Sequence, residues 1–197
     1  MLSISIGSSL ASFSAADIAQ LSVNQVKDLT AEQVTSIPTS ALAGLSSVHL
    51  QNLSNSNVSV LSTGQVASLA LAQLNAFRTS QIAEMGVGQI NALSRIDGLS
   101  ASRLKAISSA LFGQISTGQI QALSAAQIGA LAESQISGMS TLQIAVLATK
   151  QVQSLTATQL RAMDTTDIAA LSTANLKALR GTQLAAFSAS QFSALKS

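Results

Sequence analysis

Side chains able to do chemistry are few in this sequence, and they stand apart from one another. His49 is the single histidine, cysteine is absent, and the eight acids are Asp17, Asp28, Glu32, Glu84, Asp97, Glu133, Asp164 and Asp167. A nucleophilic triad needs a base held beside its nucleophile by a third group, and a metal centre needs several convergent His, Cys or carboxylate ligands. One imidazole, no thiolate and scattered carboxylates supply neither. The sequence therefore assigns no catalytic residue, no metal ligand and no cofactor-binding residue, and the chain is expected not to be an enzyme. Asp164 and Asp167 stand three apart, the spacing of a helix N-cap and its third helical residue. Gly86 and Gly88 lack the third glycine or the Lys-Ser/Thr of a phosphate loop, and no strand precedes them.

Binding chemistry is equally sparse. Lys27, Lys105, Arg161 and Lys177 recur at one register position, but a net charge of +2 cannot neutralise a phosphate track, so nucleic acid is not an expected partner. Arg95, Asp97, Arg103 and Lys105 form the densest charge cluster and are read as solvated charges around an irregular unit. The five phenylalanines, Phe13, Phe77, Phe112, Phe187 and Phe192, fall in core columns and offer no base-stacking platform. Thr63, Thr117, Thr141 and Thr173 suggest a hydroxyl array, which Ala, Val, Leu and Glu interrupt. Asn52-Leu53-Ser54 and Asn57-Val58-Ser59 fit the glycosylation pattern, as chance allows in a Ser-rich chain.

The composition points to a folded chain with little electrostatics. Hydrophobic residues make up 47%, against 9% charged and 3% aromatic, the reverse of the balance that keeps a chain disordered. Mean hydropathy is +0.42, yet Ser, Thr, Gln or Asn interrupts every eight residues, so no run reaches the roughly 18 apolar residues of a membrane span. The opening MLSISIGSSLAS lacks the basic segment of a secretory signal. Without cysteine there is no disulfide framework.

What must position every side chain is an octapeptide: apolar, Ser/Thr, x, x, Gln, Ile/Val/Leu, x, small. After a degenerate lead-in at 1–12, ten octads fill 13–92, a six-residue unit LSRIDG occupies 93–98, twelve octads fill 99–194, and 195–197 is a stub. In all 22 octads position one is Leu, Ile, Met or Phe and position six is Ile, Val, Leu or Phe. Position five is Gln in 14 of the 22, with His49 standing in that column, and position two is Ser, Thr or Asp in 15. Positions one and six are the expected core.

A continuous helix does not suit this period, because eight residues at about 100° leave each copy rotated by roughly 80°. A helix restarted in every octad does. In LSTGQVAS (61–68), Ser62 is placed as N-cap with Gln65 at the third helical position, a capping box, while Leu61 and Val66 form the hydrophobic staple. About six helical residues per octad follow. Helices that short are marginal alone, so stacking must hold them. The expected fold is an all-α solenoid of very short capped helices, one per octad; a β-solenoid with stacked Gln is the alternative, disfavoured by the Ala, Leu and Gln content. Where position two is Pro38, Ala70, Arg78, Gly86, Ala132, Ala148 or Arg180, the cap is expected to weaken or slide onto a nearby hydroxyl. With two octads per coil, helix spacing of about 9 Å would give a rod on the order of 100 Å. Gln143→Ala is expected to cost about 1 kcal/mol or less and Ile144→Ala about 2 to 5.

Units such as ISTGQIQA (115–122), LSAAQIGA (123–130) and LTATQLRA (155–162) resemble the octapeptide arrays of large, repetitive bacterial surface or secreted proteins of adhesin-like type. The resemblance implies an extended spacer or scaffold of bacterial origin, extracellular or at the cell surface, and no activity. The function expected is a non-enzymatic structural repeat module, acting as spacer, scaffold or self-assembling element through uncapped ends; the alternative is an interaction solenoid that binds a protein or peptide along one face.

Overall fold

In the computed structural model, residues 8–195 are described, so Met1–Gly7 of the lead-in and Lys196 and Ser197 of the stub lie outside the described residues. The chain is all-α: short helices follow one another in series, with no strand among the described residues, which removes the β-solenoid alternative. Helices of four to six residues occupy octad after octad, as at Thr63–Ser68, Thr141–Ala145 and Ala157–Ala162. Each ends because position one of the following octad turns extended, and position two then caps the next helix. Leu69 has φ −70°, ψ 132°, and Ser62 φ −67°, ψ 157°. Two successive extended residues make a corner, and the corners turn a row of helices into a coil.

The coil closes after three octads. Helix Thr63–Ser68 packs on Val87–Ala92, Ala125–Ala130 on Thr149–Ser154, and Thr165–Ala170 on Ala189–Ala194, each pair 24 residues apart. The two-octad coil used for the length estimate is therefore corrected to three. Eight residues cannot bring a chain back over itself in two straight segments without a reversal at each end, whereas three corners close the path.

Two compact units divide the chain after Leu99, directly behind the six-residue unit. In the first, Met1–Leu99, the core is the files of positions one and six, such as Leu21, Val26, Leu53, Val58, Phe77 and Ile82, all buried. In the second, Ser100–Ser197, the same files supply Leu104, Ile107, Phe112, Ile120, Ile136 and Ile144. From Ile18 to Ile168 every position-six side chain is 0 or 1% exposed. Fully burying a Val, Leu or Ile side chain is worth about 1.5 to 3 kcal/mol, and these files repeat it in every coil.

One octad and the six-residue unit depart from the α form in the first unit. Ile37 to Gly44 folds as a 3-10 helix over Thr39–Gly44, behind Pro38 and with Ala41 in the glutamine column. The six-residue unit forms a 3-10 turn at Ile96–Gly98. There Leu93, Ile96 and Leu99 are 3%, 2% and 2% exposed, so the missing pair of residues shortens the spacing of the core positions from five to three without emptying either.

Candidate functional site: the glutamine seam

The most elaborate polar arrangement in the molecule lies between coils. Within an octad, the Ser62 hydroxyl accepts from Gln65 N–H at 3.1 Å and Gln65 Oε1 accepts from Ser62 N–H at 2.8 Å, so both ends of the capping pair are used. The same carboxamide then turns outward. Gln65 Nε2 donates to the carbonyls of Val34 at 2.8 Å and Ile37 at 2.9 Å, positions six and one of the preceding coil. They stand at the end of helix Ala31–Ser36, where the Val34 carbonyl also accepts from Ile37 N–H at 3.3 Å and the Ile37 carbonyl follows the last helical residue. One side chain closes the start of its own helix and the end of another.

This pattern recurs at a fixed separation of 28 and 31 residues. Gln81 donates to Leu53 and Leu50, Gln89 to Leu61 and Val58, Gln143 to Ile115 and Phe112, Gln151 to Leu123 and Ile120, and Gln191 to Met163 and Leu160, at 2.7 to 2.9 Å. The glutamines are buried; Gln143 is 1% exposed and Gln81 0%. Burying so many carboxamides is tolerable only because their hydrogen bonds are made, and no buried side-chain N or O among the described residues lacks a partner. Sequence reasoning placed the capping pair but missed the second role. Its signal was the preference for Gln over Glu at position five: a carboxylate could serve the N-cap N–H but has no proton for the two carbonyls.

Substitutions in the column read as a length and charge series. Asn57 and Asn175, one methylene shorter, reach a single carbonyl each, of Leu29 at 2.7 Å and Leu147 at 2.9 Å. His49 is buried, and its Nδ1 accepts from Ser46 N–H at 3.4 Å, keeping the local half of the pair. Asp167, 4% exposed, accepts from Asp164 N–H at 3.3 Å and donates nothing across the seam. Burial, and then the charge of Asp164, push its carboxyl above the usual range, while Asp164 is lowered, chiefly by the Thr166 hydroxyl and also by Asp167 N–H.

Where position two has no hydroxyl, the cap does not slide. Ala70, Arg78, Gly86, Ala132, Ala148 and Arg180 are themselves the N-caps, without a side-chain acceptor bond, and the glutamine half alone holds them: Gln151 Oε1 accepts from Ala148 N–H at 2.7 Å and Gln81 Oε1 from Arg78 N–H at 2.6 Å. Among these positions without a hydroxyl, only Pro38 lacks both halves, having neither a side-chain acceptor nor an N–H to donate.

The other sequence candidates are not brought together. Arg95 pairs with Asp97 across 3.1 Å on an exposed surface, the hydrogen bond lowering the Asp97 carboxyl and raising the guanidinium. In the second unit, Arg103 Nη1 donates to Ser100 Oγ at 2.9 Å. Lys27, Lys105, Arg161 and Lys177 are exposed, and Arg161 Nε donates to Ala186 O at 3.3 Å. Asn57 is buried with its amide engaged, and the Asn52 amide donates to Val48 O at 2.8 Å, so neither acceptor pattern presents a free amide. The three-octad coil puts Thr117 and Thr141 in one exposed file and Thr173 in another. Among the described residues no group of three or more His, Cys, Asp or Glu could hold a metal ion, and no helix is long and apolar enough to cross a membrane. Phe13, Phe77, Phe112 and Phe187 are buried or half-buried, but Phe192 is 42% exposed despite its core column.

Residues 160–197 match the ALTTAQ repeat family. The matched stretch covers the last octads, where LSTANLKA and FSASQFSA carry the apolar, hydroxyl and amide columns described above and LRGTQLAA the apolar and amide ones, and the chain is a repeat protein. No curated protein matches it.

Proposed function

We propose that the chain is a non-enzymatic structural repeat module, a spacer or scaffold segment of the kind found in large bacterial surface or secreted proteins. What supports this reading is where the polar chemistry is spent: buried amides, hydroxyl caps and helix-end carbonyls bind one another in the seam. The outward positions three, four and seven carry mostly Ala, Ser, Thr and Gly. Among the described residues the exposed large apolar side chains are Val48, Leu142 and Phe192, separate in sequence and in different coils, so no continuous patch there favours binding along one face. A seam that fixes each coil on the next is what a spacer needs, since a spacer works by holding distance.

The absence of cysteine makes this directly measurable. Dyes at Ser102→Cys and Ser193→Cys, both exposed in the second unit, should give a single narrow transfer efficiency in single-molecule fluorescence, unchanged up to the denaturant concentration at which the helical circular dichroism falls. A broad or drifting distribution under native conditions overturns the spacer reading.

A further inference from the structure

The seam is unevenly furnished within the first unit. In the coil of the Leu61, Leu69 and Phe77 octads every position-five amide reaches two carbonyls: Gln65 those of Val34 and Ile37, Gln73 those of Leu42 and Leu45, and Gln81 those of Leu50 and Leu53, at 2.7 to 3.0 Å. In the coil of the Ile37, Leu45 and Leu53 octads the same column holds Ala41, His49 and Asn57. Ala41 has no donor, the His49 ring accepts from Ser46 N–H inside its own octad, and Asn57 reaches Leu29 O at 2.7 Å. The 28- and 31-residue register assigns Phe13 and Leu10 to Ala41, and Leu21 and Ile18 to His49. Among the described residues none of those four carbonyls receives a side-chain amide.

Among the described residues no side-chain hydrogen bond joins residues 13–28 to that coil; the anchors lie on either side of them. Before them, Leu10 N–H donates to Ser36 Oγ at 2.8 Å and Gln33 Nε2 donates to Ser8 O at 3.3 Å, so the lead-in is fastened to the Leu29 octad. After them, Asn57 holds Leu29 O, and five residues further on Gln65 holds Val34 O. What closes the stretch onto the next coil is apolar contact: Ile18, Leu21 and Val26 are buried, and Gly44 lies against the Ala15 backbone. Such contact is non-directional, and a stretch without fixed cross-bonds opens at less cost than one that must part an amide from a carbonyl at every corner.

We infer that residues 13–28 are a strap, two octads long, that opens as one piece while the rest of the first unit stays folded. Its limit is Leu29, the first carbonyl held by an amide of the next coil. The inference rests on the structural-module reading and gives the spacer one compliant element. A pull on the lead-in that parts the bonds of Leu10 and Ser8 draws the strap out as far as Leu29, about 55 Å of extended chain. A folded coil adds only about 9 Å of height.

Hydrogen exchange of the full chain, read by mass spectrometry, tests the strap. Position-six amides compare like with like, because each donates to the position-two carbonyl of its own octad: Ile18 to Ser14 and Val26 to Ser22 in the strap, Ile82 to Arg78 and Ile90 to Gly86 farther along. Segments covering 13–28 should exchange about tenfold faster, or more, than segments covering 77–92, with the change falling between Leu29 and Val34. His49→Gln puts an amide where the register places the Leu21 and Ile18 carbonyls, and should slow exchange of 13–28 about tenfold while leaving 77–92 as it was. Asn57→Ala removes the Leu29 anchor and should carry the fast region on to Val34, a readout that does not depend on the His49 variant folding. One exchange rate through the whole unit, a gradual slope inward from the lead-in, or a folded His49→Gln variant that exchanges like wild type overturns the inference. So does a fast region that Asn57→Ala leaves unchanged. The dyes at positions 102 and 193 sit in the second unit, so a broad distance distribution there counts against the spacer reading, whereas uniform exchange in the first unit counts against the strap alone.

Discussion

The octad at Met139 and the octad at Ile37 both fill their two core columns with large apolar residues and differ in their polar ones. In the first, Ser140 and Gln143 complete the capping pair, Gln143 reaches Phe112 and Ile115, and an α-helix runs from Thr141 to Ala145. In the second, Pro38 and Ala41 stand in the same columns, and the chain tightens into a 3-10 helix. Yet Ile37 and Leu42 are as buried as Met139 and Ile144. Apolar columns keep an octad in the stack; polar columns go with the form of its helix. There the backbone comes so near helix Ala15–Ala19 that a Cβ on Gly44 would overlap the Ala15 carbonyl oxygen.

The division of labour predicts where damage is greatest. Ile144→Ala should destabilise the second unit by about 2 to 5 kcal/mol, because it opens a cavity in a column that both octads need. Gln143→Ala should cost about 2 to 3 kcal/mol, more than capping alone implies, since the Ser140 N–H and the Phe112 and Ile115 carbonyls lose a partner together. Chemical denaturation followed by circular dichroism measures both. If Gln143→Ala costs no more than the roughly 1 kcal/mol of a lost N-cap, the cross-coil bonds add nothing and the polar column only starts helices.

The Ile37 octad is tested through its glycine. Gly44→Ala should destabilise the first unit by about 1 to 3 kcal/mol, through forced backbone movement at Ala15. Gly118→Ala and Gly181→Ala, in octads that keep their glutamine, are the controls: nothing lies within 4 Å of the added Cβ, and both should be neutral or slightly stabilising. A harmless Gly44→Ala would mean that the coils can separate freely there.

Much of this was legible in the sequence, for a physical reason. Helix starts depend on residues three apart, Ser62 and Gln65, and the core depends on residues five apart, so both appear as columns within eight letters. The number of octads per coil did not appear, because it is set by contacts between identical units, and Gln65 looks the same whether it faces Val34 or any other helix end. The second role of position five was hidden likewise: Ser62 N–H accounts for a side-chain oxygen, and the choice of amide over acid is the only trace of the acceptors beyond. Phe192 misled the reading because a column records residue type and not whether a further coil covers it.

Asp167 gives the smallest effect and the finest test of the seam. It sits where the 28- and 31-residue register places the carbonyls of Met139 and Ile136, between neighbours Gln159 and Asn175 that donate to their own counterparts. As a carboxylate it adds negative charge beside acceptors; protonated, it would become a donor. Burial holds its carboxyl above the ordinary range. A group raised in the folded state contributes stability that is complete below its unfolded titration range and is lost as pH rises through the raised value. Asp17, Asp97 and Asp164 run the other way: all are lowered by hydrogen bonds, and their contribution disappears as pH falls. The wild-type profile mixes both signs, but the difference between wild type and Asp167→Asn isolates one position. The asparagine should donate to Met139 as Asn175 does to Leu147, raising stability near neutral pH by about 1 kcal/mol. That gain should shrink as pH falls through the raised value, where Asp167 takes up its own proton. A pH-independent difference would mean that the carboxylate does not face the seam acceptors, and that in this column only the length of the side chain matters.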